Sequence, residues 1–246
     1  MAVDKKIALV TGANRGIGLE TARQLAREGI TVIVAARSLA NARKAAATLE
    51  QEKLTVFPVQ LDITKSEDQK AAARLVAEKY GVLDILVNNA GEGPSDGLLV
   101  KKTIETTEEE LQRAFGTNLF SVVALTREFL PLLKKSPAGR IVNVSSILGS
   151  LTLQSNPNGP LEVFKAFAYD ASKSALNAFT IHLASELKNT NIKVNSVHPG
   201  WVKTEMGTEH APMEVADGAK TSVQVALVAA NGPNGRFIHL GQELPW

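Results

Sequence analysis

The chain has 246 residues, 44% of them apolar, with 27 basic and 25 acidic side chains and a formal net charge of +2. That balance leaves no electrostatic footprint for nucleic acid or for an acidic membrane surface, while the apolar share suffices for a sizeable core. The sequence holds no cysteine, which excludes disulfides, thiolate catalysis and zinc–thiolate sites.

The opening MAVDKKIALVTG enters a strand-like run without a signal-peptide core or an Arg-rich transit pattern, and no apolar run reaches spanning length. A cytoplasmic protein with no membrane partner is expected. Strands are predicted at 7–10, 31–36, 54–60, 84–87, 140–145, 192–198 and 236–240. The early ones are unbroken apolar runs, as in strands buried on both faces of a parallel sheet. Helices are predicted between them, over 16–28 and 38–52. Ser66 with Gln69, and Thr107 with Glu110, have capping-box spacing and predict helices opening near 67 and 108. The acidic run at 105–110 is read as a helix N-terminus favoured by the macrodipole. After a loop, SNPNGP at 155–160, Leu176, Phe179, Leu183 and Leu187 form an apolar stripe at helical spacing. Repeated β-α units predict an α/β fold, a doubly wound sheet with right-handed crossovers. No linker divides the chain, so one domain over 1–246 is expected.

TGANRGIG at 11–18 lies between the first strand and the first helix. Gly12 permits a sharp turn, Gly16 and Gly18 permit close approach, and the helix N-terminus offers free N–H groups to a pyrophosphate. The second strand ends in Arg37, where an acidic residue often receives the ribose hydroxyls of NAD. A guanidinium there attracts a 2′-phosphate instead, and Arg15 is placed to close over the same phosphate, so NADP(H) is the expected cofactor.

Tyr169 and Lys173, in YDASK, are four residues apart and share a helix face at about 5–6 Å between Cβ atoms. At an effective dielectric of about 20, a cation some 5 Å away favours a phenolate by roughly 3 kcal/mol. That amounts to a fall of about two pKa units, enough for acid–base work near neutrality. Ser145 and Ser146 end a strand at the sheet edge where ligands bind, and Asn118 is a polar residue in an apolar helical stretch. His182, His198, His210 and His239 are scattered without ligand spacing, so no metal is expected.

TGANRGIG, the NNAG at 88–91, Asn118, the serine before ILG, YDASK and the HPG at 198–200 together resemble the short-chain dehydrogenases/reductases over nearly the whole chain. The resemblance implies a Rossmann-like domain with a seven-stranded, mostly parallel sheet flanked by helices. It implies that Tyr169 protonates a carbonyl oxygen, that Lys173 lowers its pKa and holds ribose hydroxyls, and that Asn118 holds a relay water. Ser146, followed by two residues and Gly149, is identified as the serine that steadies the substrate oxygen. Gly12, Asn14, Arg15, Gly16, Ile17 and Gly18 would surround the phosphates. Asp62 and Ile63 would meet the adenine, and Asn88, Ala90 and Gly91 the adenosine ribose. Pro199, Gly200, Val202 and Thr204 would frame the nicotinamide.

Within that family the sequence is similar to the carbonyl-reductase branch, which implies NADPH-dependent reduction of small ketones or aldehydes. A substrate-side insertion is expected at about 150–166, beside the active-site mouth, with a monomer or dimer as the assembly. A dedicated 3-oxoacyl-carrier-protein or hydroxysteroid reductase is the alternative, and a non-enzymatic NADP(H) sensor a remoter one.

Overall fold

Burial on both faces accounts for the unbroken apolar strands. In the computed structural model, which describes residues 5–94 and 102–246, Ile7 and Leu9 of the first strand join one core while Ala8 and Val10 join the other. The strands are β1 (Ile7–Thr11), β2 (Thr31–Ala36), β3 (Val56–Gln60), β4 (Ile85–Asn88), β5 (Arg140–Val144), β6 (Lys193–Val197) and β7 (Phe237–His239). All seven fall where the sequence predicts them. An eighth, β8 (Gln242–Glu243), pairs antiparallel with β7 and lies outside the predicted set; its two exposed residues carry no apolar pattern.

The order is β3-β2-β1-β4-β5-β6-β7-β8, parallel except for the last pair. Winding reverses between β1 and β4, and such a switch point opens a crevice at the carboxyl edge of the sheet. On one face pack α1 (Gly16–Arg27), α2 (Leu39–Gln51) and α8 (Val215–Ala226), through Leu25, Leu49 and Val225. On the other pack α3 (Ser66–Tyr80), α5 (Ser121–Leu133) and α7 (Phe167–Glu186), through Val76, Phe129 and Leu183. Leu176 and Leu187 of the predicted stripe are buried and Phe179 packs against the same core.

Of the two capping boxes, Thr107–Glu110 is present and opens α4 (Glu108–Phe115). The other is not. Ser66 is already helical, and Gln69 is buried and donates to the Ile63 carbonyl at 2.6 Å. Spacing alone does not separate a cap from a glutamine on the core face. Among the described residues no helix is long and apolar enough to cross a membrane, and no cluster of metal ligands exists.

Candidate active site

The carboxyl edge gathers most of the predicted site residues. Gly12 and Gly16 both take positive φ, 63° and 54°, which a side chain would strain. A Cβ on Gly18 would lie 2.5 Å from the Gly12 carbonyl oxygen, so only glycine lets α1 start so close to its own turn. Asn14, Arg15 and Ile17 stay at least partly accessible on this turn. The segment after β6 faces it: a Cβ on Gly16 would be 3.5 Å from the Thr204 methyl. The turn and the 199–204 segment are thus two walls of one narrow cleft, with Pro199 and Gly200 half-buried and Val202 buried behind them.

A threonine and an asparagine outside the predicted site hold the turn to β4. The Thr11 hydroxyl accepts from the Asn89 and Ala90 amides at 3.0 and 2.9 Å, and the Asn89 side chain donates to the Thr11 carbonyl at 2.8 Å. Their signal is present in T-G and N-N-A-G, but only the β1–β4 pairing shows that the two segments meet. Thr11→Val leaves two amides without that acceptor. Urea unfolding is expected to show a loss of about 2–4 kcal/mol, with Thr11→Ser close to wild type.

Asn88 turns its side chain away from the cleft. Its side chain lies inside the sheet, donating to Thr126 and Asn143 at 3.2 and 2.8 Å, so it cannot reach a ribose. Any contact from Asn88 must come from its main chain. Ala90 and Gly91 do border the cleft: a Cβ on Gly91 would be 3.1 Å from the Asn118 side-chain oxygen and 3.5 Å from the Lys173 ammonium.

Arg37 is exposed just beyond β2, with no carboxylate in salt-bridge range among the described residues. Asp62 follows β3, and Ile63 beside it is buried. Burial works against the Asp62 charge. Hydrogen bonds from the Thr64 hydroxyl and amide, aided by Lys65 and Arg37, outweigh that and hold the carboxyl below the ordinary range. Arg15 pairs with Glu205 instead of standing free, so of the two guanidiniums expected to share a phosphate only Arg37 is uncommitted.

Asn118 sits in a five-residue π segment, Gly116–Phe120, between α4 and α5. Its side chain accepts from the Glu92 amide at 2.8 Å and donates to the Glu92 carbonyl and the Ser172 hydroxyl, both at 3.0 Å, so both of its N–H donors are used. π segments disturb the regular carbonyl pairing of a helix.

Tyr169, Lys173 and Ser146 converge. Tyr169 lies in the first turn of α7, buried, with Ser146 as its hydrogen-bond partner. Ser145 turns the other way, toward the Lys173 carbonyl. Lys173 is one turn on, its ammonium 5.7 Å from the Tyr169 ring centroid and donating to the Val144 carbonyl at 2.9 Å. Gly149 is what permits this approach: a Cβ there would meet the Lys173 backbone and Cβ at 2.8 Å. The lowered phenol pKa expected from charge alone is not what the fold sets. Burial pushes Tyr169 up to about 12, with Asp170 adding to the rise and the Ser146 hydrogen bond opposing it. Burial likewise pushes Lys173 down to about 8. Desolvation, absent from a two-charge estimate, dominates both groups.

His198, the first residue of the HPG motif, has a structural part here: its Nδ1 accepts from the Ile147 amide at 3.2 Å, supporting the turn that follows Ser146. Burial and the neighbouring His239 push it down to about 3, so it stays neutral there.

Comparison with known proteins agrees with this arrangement. The model of the short chain dehydrogenase family matches residues 6–215. The chain is 37% identical to the short-chain dehydrogenase anuI of Penicillium roqueforti, over 92% of this chain and 90% of that one. It is 31% identical to carbonyl reductase 1 (NADPH) of Rattus norvegicus over 100% of both. The solved structure of NADPH-bound carbonyl reductase from chicken fatty liver superposes with a TM-score of 0.86 at 26% identity, covering 99% of this chain and 100% of that one. On its fold, on the residues gathered at the carboxyl edge of its sheet and on these matches, the chain belongs to the short-chain dehydrogenase family.

Proposed function

We propose that this protein is an NADPH-dependent carbonyl reductase, converting ketones or aldehydes to alcohols. The observation that carries the reading is the buried Tyr169 phenol, bonded to Ser146 and one helical turn from the Lys173 ammonium. The cleft suits a dinucleotide: three glycines let the first turn fold tightly against β4 and the start of α1, the α1 N-terminus offers its free N–H groups, and Arg37 stands uncommitted where a 2′-phosphate would lie. NADPH, when bound, supplies the hydride.

The chain supplies the proton and the orientation. Tyr169, neutral through the physiological range, is a proton donor to a carbonyl oxygen as that oxygen gains charge. Ser146 shares its hydroxyl between the Tyr169 phenol and the same oxygen. Lys173 sits beside the phenol as a cation that stabilises the phenolate left after transfer, and the Asn118 main chain, through a water, replenishes the proton. Val202 and Thr204 hold the carboxamide end of the cofactor, and Asp62 its adenine. The segment 150–166 walls the substrate side.

The lysines around that segment are engaged: half-buried Lys165 lies 3.4 Å from Glu162, and exposed Lys203 pairs with Glu214. Among the described residues no free basic patch borders the mouth, which favours small carbonyl substrates over an acyl-carrier protein. A screen of aromatic and halogenated ketones, steroids and acyl thioesters, followed by NADPH absorbance with NADH as control, tests the assignment. Tight NADPH binding with no oxidation across the screen would overturn it in favour of a sensor. A preference for NADH would overturn the cofactor.

A further inference from the structure

A second buried carboxylate-centred cluster joins the substrate-side segment to the catalytic helix. Asp170, the neighbour of Tyr169, is 9% exposed. Its Oδ2 accepts from the Gln154 side-chain amide and from the Ala166 main-chain amide, both at 3.1 Å. Gln154 ends α6 (Leu151–Gln154), and its side-chain and main-chain oxygens both accept from Lys165 at 2.8 Å. Both ends of the segment 150–166 thus meet at one side chain of α7. The other oxygen of Asp170 is buried without a hydrogen-bond partner. A carboxylate so placed is poorly satisfied as an ion, and its neutral form fits the site better.

We propose that Asp170 is a positioning residue, a latch that closes the substrate-side segment onto the catalytic helix when it is neutral and loosens it when it ionises. The proposal rests on the assignment of that segment to the substrate wall. The charged or titratable groups facing Asp170 are Lys165 from the segment and Tyr169 on its own helix; α6 presents only the neutral Gln154. Burial pushes the Asp170 carboxyl up to about 7, against the hydrogen bond from Ala166, the Lys165 charge and the hydrogen bond from Gln154. With the segment open, Asp170 is solvated and has an ordinary pKa. The closed form therefore binds the proton more tightly: closure is fully favoured below the ordinary carboxylate range and is lost as pH rises through about 7.

The test compares wild type with Asp170→Asn, a permanently neutral isostere, and Asp170→Leu, which removes the acceptor. For wild type the KM for a ketone is expected to rise as pH climbs from the ordinary carboxylate range to about 7, by at most about tenfold per pH unit, the limit set by one linked proton, and to level off above it. The D170N variant should hold the low KM throughout, while kcat keeps its wild-type pH dependence. The D170L variant should show the high KM at every pH. Trypsin cleavage after Lys165, at one mildly alkaline pH where wild type is ionised, reads the latch without activity: slower than wild type in D170N, about as fast as wild type in D170L. The proposal fails if D170N keeps the wild-type pH dependence of KM and the wild-type cleavage rate. It fails equally if D170N alters kcat with KM unchanged, since Asp170 would then act on Tyr169 itself. Should D170L not fold by circular dichroism, D170N decides alone. A wild type that reduces no carbonyl compound rejects the reductase assignment, while the cleavage rates still judge the latch.

Discussion

Tyr169→Phe is expected to lower kcat for carbonyl reduction by about a thousandfold, the middle of the range for losing a positioned general acid. NADPH affinity should stay within about twofold, because one hydroxyl of a buried ring is all that changes. The ring remains packed in the first turn of α7, so the fold keeps its template. Ser146 loses its partner but retains its own bond from the Leu148 amide at 3.2 Å. The comparison therefore isolates the proton. Single-turnover absorbance gives the chemical step, and fluorescence titration gives binding; persistent wild-type turnover in the variant would falsify Tyr169 as the acid. The pH dependence of kcat adds a sign. Tyr169, with its pKa near 12, stays protonated across the working range, whereas Lys173, near 8, does not stay charged. Reduction needs the cation to stabilise the phenolate, so kcat should fall as pH rises through about 8. That limb belongs to kcat and survives in Asp170→Asn, which keeps the two titrations apart.

Local chemistry made the framework legible. Each β-branched run is a strand because both faces of the sheet are covered, and each glycine of the first turn meets a specific steric demand. Ser146 could be chosen over Ser145 because Gly149 follows it, and the packing of Gly149 against Lys173 is the physical content of that marker. Illegible residues were those whose role depends on contacts distant in sequence. The Asn88 side chain is committed inside the sheet, which its motif does not show; Thr11 reads as a strand end but ties the glycine turn to β4. Ser66–Gln69 has the spacing of a cap, yet Gln69 reaches inward. The pKa of Tyr169 failed for the same reason: a helix shows the lysine four residues away, and says nothing of the sheet and segment that exclude water from both.

Cofactor choice provides the other large effect. Arg37→Asp is expected to shift the ratio of NADPH to NADH affinity by about a thousandfold toward NADH. A charge-assisted contact between a guanidinium and a phosphate is worth about 1.5–3 kcal/mol, or about ten- to a hundredfold. A carboxylate in its place repels the 2′-phosphate and accepts from the 2′-hydroxyl of NADH, supplying the remainder. Asp62 is a check on the local field. Its carboxyl is held low partly by the Arg37 charge, so in the variant its pKa moves up, yet its hydrogen bonds from Thr64 persist. With Asp62 proposed to meet the adenine, that contact is expected to be retained, and NADH should gain where NADPH loses. Arg15 does not compensate without leaving Glu205, since that pair already engages its guanidinium. Titrating both nucleotides at two ionic strengths gives the answer. NADPH binding by wild type should weaken with salt and binding by the variant much less, because the phosphate's partner charge is gone. An unchanged affinity ratio would remove Arg37 from the 2′-phosphate site and, with it, the physical basis for expecting NADPH from the end of β2.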